Sequence, residues 1–157
     1  MSFETDLYLP KINIEKRSNR LKLVAQCQQL SVWLNTLSQT YPDVVEDFLN
    51  HGPDIILKQI EQRQHDFSSK NFQDFNRLQQ ALIQHKQQLS LILGWLEISG
   101  YMPVLRTARL WSNFAALALQ ITLKNVMLQL YQKKQLNAPS DPCKGIGIIA
   151  MGKNFQL

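Results

Sequence analysis

Apolar residues recur at spacings of three and four along most of the chain, which is typical of α-helices with one buried face. This pattern predicts helices at about 16–40, 42–49, 54–64, 69–99 and 103–135. The pattern therefore predicts a mainly α protein whose long helical region consists of antiparallel helices.

Local breakers set the predicted ends of these helices. Pro42 disfavours helical geometry in the residue before it and suits the first turn of a new helix. Ser68 or Ser69 can cap the helix that follows the "DFSSKNFQDF" connector, and Gly100 closes that helix. The stretch "NAPSDPCKG" is a loop by composition.

The last residues combine a strand-like run with a partial phosphate-loop motif. Residues 146–151, "IGIIAM", are short, rich in isoleucine and bounded by glycine, which predicts one C-terminal β-strand. Gly147 to Lys153 fit G-x-x-x-x-G-K, but Asn154 stands where the motif needs a hydroxyl residue for Mg²⁺. Since isoleucines fill the expected loop, we interpret the motif match as incidental.

Composition narrows the class of protein. The 157 residues are 45% hydrophobic, which suits a soluble domain with a core, and their formal net charge is +5. The basic residues are scattered, as on solvated helix faces, so nucleic acid is an unlikely partner. Two cysteines without paired spacing indicate a reduced, cytoplasmic setting. No apolar run approaches the ~18 residues of a membrane span, and no secretory signal is recognised.

Candidate chemistry outside the C-terminus is sparse. His51, His65 and His85 are far apart in sequence and are predicted to lie at the surface. Three tryptophans with apolar neighbours are predicted to anchor the core: Trp33, Trp95 and Trp111.

Glu97 lies among apolar residues, where a charge would be partly buried and would need a cationic partner. Arg106 or Arg109 could provide that partner across the turn at Gly100. We therefore predict a structural ion pair between the two long helices.

Three stretches together resemble one enzyme family. "LSVWLNTLSQTYPDVVEDFL" (30–49) is similar to a family segment with a serine and an aromatic residue at a helix start, followed by proline and an acidic-aliphatic helix. In 85–119, Trp95, Glu97, Ile98 and Gly100 occupy the positions of a Trp-Asp-Leu-Gly pattern, and "IGIIAMGK" resembles the first strand of a nucleotidyltransferase fold. The family is the bifunctional glutamine synthetase adenylyltransferase/adenylyl-removing enzyme.

The resemblance implies a domain division and an activity. Residues 1–140 would form a helical lead-in region, and 141–157 would begin an incomplete nucleotidyltransferase domain. The family transfers AMP from ATP to a tyrosine hydroxyl of glutamine synthetase with Mg²⁺, and removes it with phosphate. By resemblance, Gly152 and Lys153 would lie at the edge of the nucleotide site.

The departures from the family pattern bear on activity. The family continues past its Met-Gly-Lys with "LGGREL" and then an Asp-x-Asp pair that holds Mg²⁺, whereas this sequence has "NFQL". We therefore expect a truncated fragment, nearest to the N-terminal adenylyl-removing half, that binds no metal or ATP alone and is inactive alone. Two alternatives stay open at this point: a stand-alone helical interaction module, and more weakly a basic helical nucleic-acid binder.

Overall fold

The computed structural model describes residues 12–69, 72, 74–135 and 143–148, and the described chain is mainly helical. Its elements within these ranges are α1 (Arg17–Leu30), α2 (Val32–Thr40), α3 (Pro42–His51), α4 (Pro53–Ser69), α5 (Phe75–Ile98) and α6 (Val104–Gln132). The predicted mainly α fold is confirmed.

The predicted C-terminal strand does not form at the described residues 146–148. Residues 146–148 are neither helix nor strand, and the Ile146 N–H donates to the Cys143 carbonyl at 3.1 Å, which closes a turn. A strand needs a neighbour for its backbone groups, and no strand occurs among the described residues. The remainder of the predicted strand, 149–151, lies outside the described residues, as does the predicted domain boundary at 140–141.

The helix predicted at 16–40 is in fact two helices. Ser31 has extended backbone angles, and its side chain accepts a hydrogen bond from the Leu34 N–H at 3.2 Å. Serine is a preferred N-cap residue because its oxygen satisfies one of the free N–H groups of the first turn. The apolar spacing continues across Ser31, so periodicity alone concealed this break.

The start of α5 also differs from the prediction. Ser68 and Ser69 belong to the last turn of α4, and α5 begins only after Asp74. The Asp74 carboxylate accepts a hydrogen bond from the Asn76 N–H at 2.9 Å, so aspartate rather than serine caps this helix.

Two antiparallel helix pairs organise the bundle. Leu34 of α2 packs against Gly94 of α5, and just past the end of α2 the Tyr41 hydroxyl donates to the Gln87 Oε1 at 2.5 Å. A Cβ at position 94 would lie 3.0 Å from Leu34 Cδ2, so glycine permits this close approach. α5 and α6 are joined by a tight turn in which Gly100 has a φ of 67°.

The prediction that three tryptophans anchor the core is fully confirmed for one of them. Trp95 is 0% exposed and stacks on Phe48 with ring centroids 4.7 Å apart. Trp111 is partly buried against the core, but Trp33 is 55% exposed. The buried residues of α2 are Leu34, Leu37 and Ser38, and the centre of this buried face lies about 90° around the helix from Trp33, so Trp33 lies at its edge.

One basic residue that the sequence placed on a solvated face is buried. Arg20 is 5% exposed, and its guanidinium donates to the carbonyls of Ile14, Glu15 and Leu49. Leu49 lies in the last turn of α3, where helix carbonyls lack intrahelical partners and carry partial negative charge. Arg20 therefore fastens α1 to the C-terminal end of α3 and to the segment before α1.

Candidate functional site

A cleft of about 360 Å³ opens where the first turn of α3, the C-terminal half of α4 and the middle of α5 meet. Its lining combines charged, amide and aromatic side chains: Asp43, Arg63, Asp66, Phe67, Phe72, Ala81, Gln84, His85 and Gln88. The volume lies in the range of small-ligand pockets, and the lining is more polar than that of most such pockets. The cleft is the candidate functional site.

His85 lies in the wall of the cleft and is only 4% exposed, so the prediction of a surface histidine is wrong. Its ring contacts the rings of Phe67 and Phe114, each with centroids 5.3 Å away. The sequence did contain a signal for this burial. His85 falls at helical spacing with Leu78, Leu89 and Ile92, which are all buried on the same face of α5.

The His85 ring is neutral near pH 7. Burial, and secondarily the positive charge of Arg63, lower the pKa of His85 to about 4. Among the described residues, its Nε2 is buried without a hydrogen-bond partner. Buried polar atoms are normally paired, so this orphaned nitrogen marks the cleft as unusual.

Arg63 and Gln88 form the polar side of the cleft. The Arg63 Nη1 donates to the Gln88 Oε1 at 2.6 Å, and Gln88 is itself buried. Arg63 is half-buried and has no carboxylate partner among the described residues, because the ion pairs found there are Asp47–His51 and Asp74–Arg77. Within the described part of the chain, the hydrogen-bond acceptor found for Arg63 is this neutral amide oxygen.

The structure does not bring Glu97 together with Arg106 or Arg109. All three side chains are exposed, and none forms an ion pair with another. Glu97 follows Trp95 by two residues, which places it about 200° around α5 from that buried ring. The premise of a partly buried Glu97 is wrong, so its charge needs no buried partner. Gly152 and Lys153 lie outside the described residues, and their predicted role stays a prediction.

The buried Cys27 lacks the setting of a nucleophilic cysteine. Burial raises the pKa of the Cys27 thiol to about 11, so the thiol stays protonated at neutral pH. Within 12–69, 72, 74–135 and 143–148, no three His, Cys, Asp or Glu side chains are grouped to hold a metal. The helices of this same part of the chain include none long and apolar enough to cross a membrane.

A family model for glutamate-ammonia ligase adenylyltransferase matches residues 21–154. The chain belongs to this family. The matched region includes α2 to α6, most of α1 and every residue that lines the cleft. Neither the curated proteins nor the solved structures gave a significant match.

Membership in the adenylyltransferase family confirms the resemblance seen in the sequence. It supports a function related to the adenylylation of glutamine synthetase, an enzyme also called glutamate-ammonia ligase. The match also spans the Met151-Gly152-Lys153 stretch, where the sequence predicted the approach to a nucleotide site.

The burial of His85 predicts that the folded chain loses stability in acid. In the unfolded chain His85 binds a proton below about pH 6.5, but in the folded chain only near pH 4. Between pH 6.5 and pH 4 the unfolded state binds more protons than the folded state. The contribution of His85 to stability is therefore fully present above pH 6.5 and is lost as the pH falls toward 4. We expect His85 to account for a loss of up to about 3 kcal/mol in the free energy of unfolding by pH 4.

Urea unfolding of the wild-type chain and of His85→Phe at pH 7.5 and 4.5 tests this expectation. The variant should lose clearly less stability over this interval than the wild type, since phenylalanine cannot bind a proton. His65→Phe is the matched control because His65 is exposed, and its pH dependence should follow the wild type. An identical acid loss in His85→Phe and the wild type would show that His85 is not the titrating group.

Proposed function

We propose that this chain is the helical region of an enzyme that adenylylates or deadenylylates glutamine synthetase on a tyrosine, and that these 157 residues do not catalyse the reaction alone. The observation that carries the proposal is the family match across 21–154. The substrate partner is then glutamine synthetase, and the setting is cytoplasmic.

The inactivity follows from the chemistry of nucleotidyl transfer. Metal ions must orient the triphosphate and neutralise charge that develops as the phosphorus–oxygen bond breaks. In the family an Asp-x-Asp pair holds the Mg²⁺ that accompanies ATP, and no Asp-x-Asp occurs in these 157 residues. We therefore assign the binding of Mg²⁺ and ATP to the catalytic part of the family enzymes. Lys153 would lie only at the edge of that nucleotide site.

The test is to incubate the purified chain with glutamine synthetase, ATP and Mg²⁺. Mass spectrometry of glutamine synthetase peptides should show no AMP on tyrosine beyond the blank without chain. The reverse assay, with adenylylated glutamine synthetase and phosphate, should release no ADP. A complete family enzyme serves as the positive control, and a cooperative thermal transition establishes that the tested chain is folded. Metal-dependent turnover by the chain alone would contradict the proposal.

A stand-alone interaction module is the second candidate, and exposed apolar side chains favour it. Val32 at the start of α2 is 85% exposed, and Leu105 at the start of α6 is 80% exposed. Because α2 runs antiparallel to α5, the start of α2 lies toward the end of α5, near the turn into α6. Exposed apolar residues mark a contact surface where they form a contiguous patch, and we propose that Val32 and Leu105 belong to one.

The module candidate is tested with glutamine synthetase as its partner, because the chain belongs to a family that acts on that enzyme. If the module is correct, a monomeric chain should bind glutamine synthetase in sedimentation velocity experiments, and Val32→Ser with Leu105→Ser should weaken binding. Lys124→Ser, on an exposed face of α6 away from its first turn, is the control. No association at micromolar concentrations would reject this candidate.

A further inference from the structure

We propose that the cleft between α3, α4 and α5 binds a small oxyanion, a carboxylate or a phosphate, held by the guanidinium of Arg63 beside the buried imidazole of His85. This inference goes beyond the proposed function and does not depend on it. It concerns a site within the helical region, whereas nucleotidyl transfer depends on carboxylates that this chain lacks.

Arg63 provides the first argument. A guanidinium carries five N–H donors in a planar fork that matches carboxylate and phosphate oxygens. One nitrogen of Arg63 donates to Gln88, and no carboxylate of the described residues pairs with the group. A partly buried cation without a direct ion pair among the described residues has lost part of its hydration and keeps N–H groups that an anion could use. A bound anion would supply a counter-ion.

His85 provides an independent argument. Its Nε2 is buried without a partner, and the ring lies in the wall of the same cleft. A nearby anion favours the protonated form of an imidazole, in which both ring nitrogens donate hydrogen bonds. The positive charge of Arg63 already acts on His85, so an anion near Arg63 would also act on this ring.

The other charged groups restrict the ligand to a compact one. Asp43, in the first turn of α3, and Asp66, near the end of α4, also line the cleft, and both are exposed. Their negative charges repel an anion that extends toward the mouth. A ligand of a few heavy atoms at Arg63 and His85 would meet less of this repulsion than a polyanion such as a nucleic-acid backbone. The cleft volume of about 360 Å³ is sufficient for such a ligand.

Calorimetric titration with inorganic phosphate and, separately, with malonate tests the site in the full chain at pH 7 and constant ionic strength. We expect one of these anions to bind in the millimolar range. Arg63→Gln should weaken binding by at least about tenfold because the charge-assisted hydrogen bonds are lost, and Arg63→Lys should restore part of it. Arg77→Gln is the matched control, since Arg77 is an exposed arginine of α5 outside the cleft.

Imidazole NMR signals give a second readout that does not depend on the stability of a variant. Binding should shift the His85 ring resonances in the wild type and in Arg77→Gln, but not in Arg63→Gln, and should leave His51 unchanged. The tighter of the two anions identifies the ligand class. Equal binding by Arg63→Gln and the wild type would overturn the proposal. So would unchanged His85 resonances with both anions up to about 10 mM, the range of weak small-ion sites.

Discussion

Trp95→Ala is expected to lower the free energy of unfolding by about 3–5 kcal/mol, the range for removing a large buried aromatic side chain. Trp95 is completely buried and stacks on Phe48, which is also fully buried. Truncation would remove its dispersion contacts and leave a cavity that the helix backbones cannot fill. Since α5 contacts α1, α2, α4 and α6, the loss would affect most of the bundle.

Urea unfolding followed by circular dichroism measures this effect. Trp33→Ala is the matched control: the same residue type is removed from a position that is 55% exposed, so the loss should stay below about 1 kcal/mol. Trp95→Phe should lie between, because it preserves an aromatic ring and Nε1 of Trp95 has no hydrogen-bond partner among the described residues. Equal losses for Trp33→Ala and Trp95→Ala would refute the assignment of Trp95 as the core anchor.

Arg20→Met is expected to cost about 2–4 kcal/mol, although methionine keeps much of the apolar stem. The guanidinium donates to three carbonyls, and its Nη2 lies 2.7 Å from the Leu49 oxygen. Removing it would leave buried acceptors unpaired, and each such acceptor costs about 1–3 kcal/mol unless water reaches it. Lysine cannot replace the forked guanidinium of Arg20, because its single ammonium group cannot reach both the Leu49 carbonyl and the Ile14 carbonyl.

Arg17→Met provides the comparison for Arg20. Arg17 lies on the same helix but is exposed, with one side-chain hydrogen bond to Asn50 at 3.3 Å. We expect its replacement to change stability by less than about 0.5 kcal/mol in the same urea titration. Amide hydrogen exchange should show faster opening at the end of α3 in Arg20→Met but not in Arg17→Met. If the two variants have the same stability, the guanidinium does not fasten α1 to α3.

The helical character of the protein could be predicted because it depends on local information. Apolar spacing, Pro42 and Gly100 act within a few residues of their own positions, and the predicted helices occur with ends shifted by several residues. Family membership was likewise visible, because its motifs are short runs such as those around Trp95 and Gly152. The break at Ser31 was missed because a cap depends on one side-chain hydrogen bond that apolar spacing does not report.

The candidate site was not predictable in the same way. His85 had a helical signal for burial, but nothing local indicated that Arg63, 22 positions earlier on another helix, would lie beside it. Glu97 shows the opposite error, since apolar sequence neighbours suggested burial although the side chain faces solvent. Sequence neighbours lie on different faces of a helix, so they are a poor guide to the environment of one charged group.

The helices, the family and the absence of an Asp-x-Asp pair follow from the sequence alone, because each depends on residue identity and short spacing. Which polar groups are removed from water depends on how the helices pack together. Burial and charge pairing arise from the packing of distant segments, such as α1 on α3 at Arg20 and α4 on α5 at Arg63 and His85. Solvation of a charge depends on all the atoms around it, and those atoms are brought together only when the helices pack.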